Sequence, residues 1–136
     1  VSDAVKAVIG KHFVGGYCSD DETKSAINKV YTENGYLMDT HTAVAYNKLA
    51  AYRKDTGCVT PAVVVSTASP YKFCNSVLQA LGQESDAPGT ELIEKLSEVT
   101  KTAIPKPLEG LDRREKRFEL VVDKPEMKAT VADFLK

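Results

Sequence analysis

Two kinds of apolar pattern run along this chain. Some stretches repeat at three- and four-residue spacing, which marks one face of a helix, and others run apolar without a break, which suits a buried strand. The first kind predicts a short helix over Ser2–Ile9, capped by Ser2 or Asp3, with Val5, Val8 and Ile9 on one face. A second helix is predicted over Asp20–Glu33. It opens on Ser19-Asp20-Asp21-Glu22, a hydroxyl cap with a carboxylate three residues on. Ala26, Ile27, Val30 and Tyr31 form its buried stripe, and Asn34-Gly35 ends it. A third follows Asp39-Thr40-His41-Thr42 and runs to Tyr52 or Arg53. Ala43, Ala45, Ala50 and Ala51 let it pack closely, and Lys54-Asp55-Thr56-Gly57 closes it. A fourth opens at Ser69-Pro70 and runs to Leu81, before Gly82, with Phe73, Val77, Leu78 and Leu81 as its stripe. A fifth covers Thr90–Thr100 and buries Leu92, Leu96 and Val99. Leu108–Leu111 suits a single short turn. The last helix starts at Asp123, with Pro125 and Glu126 in its first turn, and buries Met127, Val131, Phe134 and Leu135.

The unbroken runs predict strands. Ala62-Val63-Val64-Val65 reads as a strand buried on both faces, Phe118–Val122 as a second, and the glycine-broken Phe13–Tyr17 as a short strand or an extended connector. Helices alternating with strands predict an α/β fold, a small parallel or mixed sheet flanked by helices. So few strands leave sheet edges in need of a partner, which makes the chain read as a piece of something larger.

Composition narrows the function classes. Acidic and basic residues nearly cancel, 19 against 18 in 136 residues, with no basic block to attract nucleic acid. The run Arg113-Arg114-Glu115-Lys116-Arg117 reads as a solvated face. No apolar stretch approaches the roughly 18 residues that span a bilayer, so no membrane role is expected. The opening residues lack the pattern of a signal peptide. Cys18, Cys58 and Cys74 are odd in number and widely spaced, which reads as reduced cysteines in a cytoplasmic protein rather than a disulfide framework. With His12 and His41 as the only histidines, no metal site is expected.

Two stretches carry candidate chemistry. Ser66-Thr67-Ala68-Ser69 joins the predicted Ala62–Val65 strand to a helix start, where α/β proteins hold cofactors and anions. Its hydroxyls contact a ligand, or they form a helix cap and a tight turn. Lys72, one turn further, reaches an anion or is simply solvated. Asp39-Thr40-His41-Thr42 sets a carboxylate, an imidazole and two hydroxyls at another helix start. That arrangement serves substrate contact or proton transfer, or it is a helix cap beside a packed histidine.

Taken together, Asp39-Thr40-His41-Thr42-Ala43-Val44-Ala45 and Ser66-Thr67-Ala68-Ser69-Pro70-Tyr71-Lys72-Phe73 resemble the C-terminal part of threonine synthase, most closely over Phe13–Leu81. Thr40 stands where the family's first motif has proline, and Ser69 where a common form of the second has histidine. The resemblance implies a pyridoxal-phosphate (PLP) enzyme of the tryptophan-synthase-β type, with a three-layer fold. Such an enzyme converts O-phosphohomoserine and water to threonine and phosphate. It implies that Thr67 hydrogen-bonds the pyridine nitrogen of PLP, flanked by Ser66 and Ala68, and that His41, Ser69 and Lys72 face the substrate. A neutral hydroxyl at that nitrogen moderates the electron sink of the ring. The family's Schiff-base lysine and glycine-rich phosphate loop have no match here, and Lys72 does not stand at the lysine's motif position. Residues 1–136 are therefore expected to be a single C-terminal portion of the catalytic domain. Its first residue, Val1 rather than Met, fits a processed chain, a trimmed tag or an excised fragment. On this reading the rest of the parent chain is its partner, and alone it is inactive and binds PLP poorly. The rival expectation is a stand-alone α/β module that binds a small anion or a protein through the Ser66–Ser69 loop, without catalysis.

Overall fold

The computed structural model describes every residue from Val1 to Lys136 except Ser85 and Lys116. One position of the polar 83–89 loop and one of the charged 113–117 cluster thus lie outside the described residues. The chain forms α1 (Asp3–Ile9), α2 (Asp20–Asn34), α3 (Thr40–Thr56), α4 (Cys74–Ala80), α5 (Glu91–Thr100) and α6 (Met127–Phe134). Single 3-10 turns cover Pro70–Phe73, Lys106–Leu108, Leu111–Arg113 and Lys124–Glu126.

Local chemistry sets most helix ends. Ser19 Oγ accepts the Glu22 N–H at 3.2 Å, and Glu22 Oε2 accepts the Ser19 N–H at 2.8 Å, so two orphan donors at the start of α2 are satisfied reciprocally. These bonds lower the Glu22 pKa. Gly35 and Gly57 both take φ 68°, closing α2 and α3 in the left-handed conformation that glycine adopts without strain. The predicted fourth helix is divided. Ser69 caps a 3-10 turn, and Phe73 (φ −128°, ψ 39°) leaves helical geometry before α4 begins. Buried Tyr71 accounts for the break. Its hydroxyl donates to Thr102 O at 2.8 Å, so the turn is tied to the segment after α5 instead of continuing the α4 axis.

The core is a helical stack. α2 packs on α3 and on α4, and α4 packs on α5. Ile27, Val77, Leu78 and Leu96 are fully buried at the centre, with Leu37 and Met38 entering from the α2–α3 link. Each such aliphatic side chain contributes about 1.5–3 kcal/mol by leaving water. Tyr31, Phe73, Leu81 and Val99 pack against the margin of this core, half-buried. Polar side chains stitch the stack: Asn28 Nδ2 donates to Ala80 O at 2.9 Å, and the Tyr31 hydroxyl to Thr100 O at 3.3 Å. Each occupies a carbonyl that a helix end leaves without an intrahelical partner.

The predicted α/β fold is corrected: among the described residues there is no strand, and the structure is helical with irregular connections. Ala62–Val65 runs outside the core, with Val63 90% and Val65 67% exposed. Phe118, Leu120 and Val121 are likewise exposed. A strand is stabilised by ladder bonds to a neighbour and by packing on a pleated surface, and an unpaired segment has neither. Two helix stripes are corrected for a related reason. Val5, Val8 and Ile9 of α1, and Met127, Val131, Phe134 and Leu135 at α6, are exposed. Periodicity identifies an apolar face; covering that face requires a second element.

Candidate functional site

The two motifs meet at the start of α3. Asp39 is the N-cap: its Oδ1 accepts the His41 N–H at 2.8 Å and the Thr42 N–H at 3.2 Å. Its Oδ2 accepts the Thr42 hydroxyl in a short bond. Asp39 is 1% exposed and Thr42 is 3% exposed. Burial by itself pushes the Asp39 carboxyl up, but the Thr42 hydroxyl and the N–H groups of Thr42 and His41 outweigh it, and the pKa lies below its ordinary value. Asp39 is therefore an anion at neutral pH.

Thr42 Oγ1 also lies 3.2 Å from Ser66 Oγ, which joins the two motifs across 24 residues. A threonine hydroxyl has one proton, and the ionised carboxylate can only accept. Thr42 directs that one proton at two acceptors, Asp39 Oδ2 and Ser66 Oγ, and the Ser66 hydroxyl keeps its own proton. This leaves Ser66 exposed yet held. Thr67, the next residue, is also exposed, and among the described residues its hydroxyl has no hydrogen-bond partner. Ala68 is half-buried. The Ser69 hydroxyl accepts the Tyr71 N–H at 3.3 Å, which leaves its own proton available.

His41 and Lys72 come together on Phe73. The His41 ring lies 5.0 Å from the Phe73 ring, tilted by 47°, and Lys72 Nζ lies 5.7 Å from the same ring centroid. His41 Nδ1 is 3.5 Å from Asp39 Oδ1, leaving Nε2 for a ligand. His41 and Phe73 line an open cleft of about 400 Å³ with Lys24, Thr40, Ser76 and Gln79. Ser66 and Thr67 do not line that cleft. A larger cleft, about 1120 Å³, lies between residues 12–17 and α3, lined by Tyr17, Lys48 and Tyr52 among others; it holds none of the sequence-predicted site residues.

The structure thus brings His41, Phe73 and Lys72 together on one side and Thr42, Ser66 and Thr67 on another, with Asp39 bonded toward both. Sequence reasoning left Asp39 and Thr42 between substrate contact or proton transfer and a helix cap, foresaw no bond from Thr42 to Ser66, and counted Phe73 as core. The available signal was the Asp39-x-x-Thr42 spacing, which puts a hydroxyl in the first helical turn beside its own cap. Among the described residues no cluster of side chains could hold a metal ion, and no helix is long and apolar enough to cross a membrane.

The residues present fit one edge of PLP. The Thr67 hydroxyl, without a partner among the described residues, can both donate to and accept from a ring nitrogen, and the residue before it is anchored to the protein. Lys72 is exposed and sits on an aromatic ring, without the burial that makes a lysine nucleophilic.

Comparison with known proteins supplies the family. A family model described as threonine synthase, C-terminal, matches residues 42–132, a span that takes in Thr42 and the whole Ser66–Phe73 motif. The chain is 36% identical over 110 residues to threonine synthase-like 1 of Mus musculus, covering 80% of this chain and 14% of that protein. It is 46% identical over 70 residues to the protein of the same name from Macaca fascicularis, 51% of this chain and 9% of that one. With the threonine synthase of Schizosaccharomyces pombe it shares 38% over 77 residues, 56% of this chain and 15% of that protein. It therefore spans only about a tenth to a seventh of these relatives' lengths. The shared motifs and the family match over most of its length establish that this chain belongs to the C-terminal family of threonine synthases.

Proposed function

We propose that this chain is the C-terminal part of a PLP-dependent threonine synthase that converts O-phosphohomoserine and water to threonine and phosphate. The observation that carries the reading is the Thr67 hydroxyl, without a partner among the described residues, next to an anchored serine and inside the family-matched span. When bound, PLP supplies an electron sink at the substrate carbons. Thr67 meets its ring nitrogen as a neutral hydroxyl, and Ser66 and Ala68 fix the approach. His41 presents Nε2 at the open cleft, and Ser69 and Lys72 supply a hydroxyl proton and a positive charge for the substrate's anionic groups. The remaining wall, with the lysine that links PLP, is contributed by the rest of a longer chain. The same rest of the chain covers the exposed valines of Ala62–Val65. The parent is read as a cytoplasmic enzyme, consistent with Cys18, Cys58 and Cys74 all being free.

The test is to supply the full-length gene product with PLP and O-phosphohomoserine and to measure threonine and inorganic phosphate. The two are expected in equal amounts. PLP binding without phosphate release would instead favour a different reaction, a reading motivated by the similarity to proteins named threonine synthase-like 1. A 136-residue gene product that binds phosphate and no PLP would point to the stand-alone binding module.

A further inference from the structure

We propose that Asp39 and Thr42 are positioning residues that aim the Thr67 hydroxyl, acting through a hydrogen-bonded relay from Asp39 to Thr42 to Ser66. The proposal rests on the reading of Thr67 as the ring-nitrogen partner. Three observations carry it. Asp39 and Thr42 are both buried at the first turn of α3, so the anchor cannot drift. The Thr42 hydroxyl reaches both the buried Asp39 carboxylate and, at 3.2 Å, Ser66 Oγ, so one side chain ties the loop to the helix cap. The relay ends one residue before an exposed hydroxyl that has no partner among the described residues.

The relay ties down the loop at Ser66. Val65 and Ser66 are exposed, and the Ser66 hydroxyl bond to Thr42 joins this part of the loop to the body of the protein. Without it, Thr67 keeps its hydroxyl but loses its orientation. Pre-organisation of this kind contributes to binding by reducing what must be ordered when the ligand arrives.

A double-mutant cycle in the full-length gene product tests the relay, with the PLP dissociation constant and the absorption spectrum of bound PLP as readouts. Thr42→Val and Ser66→Ala are each expected to weaken PLP binding by roughly three- to tenfold, the loss of about one hydrogen bond. The double variant is expected to be no weaker than the worse single, because both remove the same link. Thr42→Ser, which keeps the hydroxyl, should return binding to within about twofold of the parent. Ser66→Ala is an exposed change that leaves the core intact, so it reads the relay even if Thr42→Val folds poorly. Additive losses, or unchanged binding and spectrum in Ser66→Ala, would overturn the proposal. Thr67→Val in the same assay separates the two claims. If it alone alters the spectrum, the relay fails and the ring-nitrogen reading stands; if it alters nothing, that reading fails and the relay proposal fails with it.

Discussion

At the scale of single residues, Asp39 decides more than any other position. One carboxylate closes the N-terminus of α3, receives the Thr42 hydroxyl and faces the His41 ring. Asp39→Ala leaves two N–H groups and a buried hydroxyl without their acceptor. It should destabilise the protein by about 2–3 kcal/mol, measured by denaturant unfolding. The carboxyl's pKa is lower in the folded protein than in the unfolded chain, so its stabilising contribution is complete above the unfolded value. That contribution is lost as pH falls through the depressed folded value. The unfolding midpoint should therefore hold steady above about pH 5 and fall in the acid range below about pH 4. Asp39→Asn, which still caps the helix, should flatten that acid loss; an unchanged acid limb would show that other carboxylates control it. Cys74 illustrates the opposite effect, since burial raises its thiol pKa and leaves it unreactive.

At the scale of elements, helix ends were legible and strands were not. The caps Ser19 and Asp39 and the stops Gly35 and Gly57 stand where the pattern put them, because each is a contact between residues within four positions. α3 runs three or four residues past its predicted end, through Thr56, since Lys54 and Asp55 carry no signal that stops a helix before Gly57. At Gly57 the left-handed backbone is a demand on conformation and not on space, since a Cβ there meets nothing within 4 Å. Gly57→Ala should accordingly cost about 1 kcal/mol through backbone strain, while Gly89→Ala, at negative φ with equal space, should be near neutral. Paired thermal melts check the difference; equal melting shifts would count against the strain argument. The continuous run Ala62–Val65 was read as a strand because its residues are those strands prefer. Strand formation also needs a neighbour at hydrogen-bonding distance, and four adjacent residues do not record whether one exists.

At the scale of the whole molecule, apolar surface is divided unevenly. The α2–α5 stack encloses a dense core, while α1, α6 and the 62–65 segment present apolar side chains to water. Leu78→Ala should cost about 2–5 kcal/mol in any context, because Leu78 is fully enclosed. Val63→Thr should change the stability of the 136-residue chain by less than about 0.5 kcal/mol, since Val63 already faces solvent. In the full-length gene product the same change should be clearly destabilising if the rest of that chain covers the segment. Equal, negligible effects in both would remove the case for a covering partner.

The sequence by itself determined most helix positions, the Ser19 capping box, the glycine stops and the two motifs that mark the family. All of these depend on neighbours in the chain, and the physics of capping and turning is short-ranged. Only the tertiary structure decided which apolar faces are covered, that the valine run has no strand to pair with, and that the predicted fourth helix breaks at Phe73. Only it joined Thr42 to Ser66 and left Thr67 beside them without a partner among the described residues. Burial and long-range hydrogen bonds depend on what the fold brings alongside, and residue spacing carries no record of that.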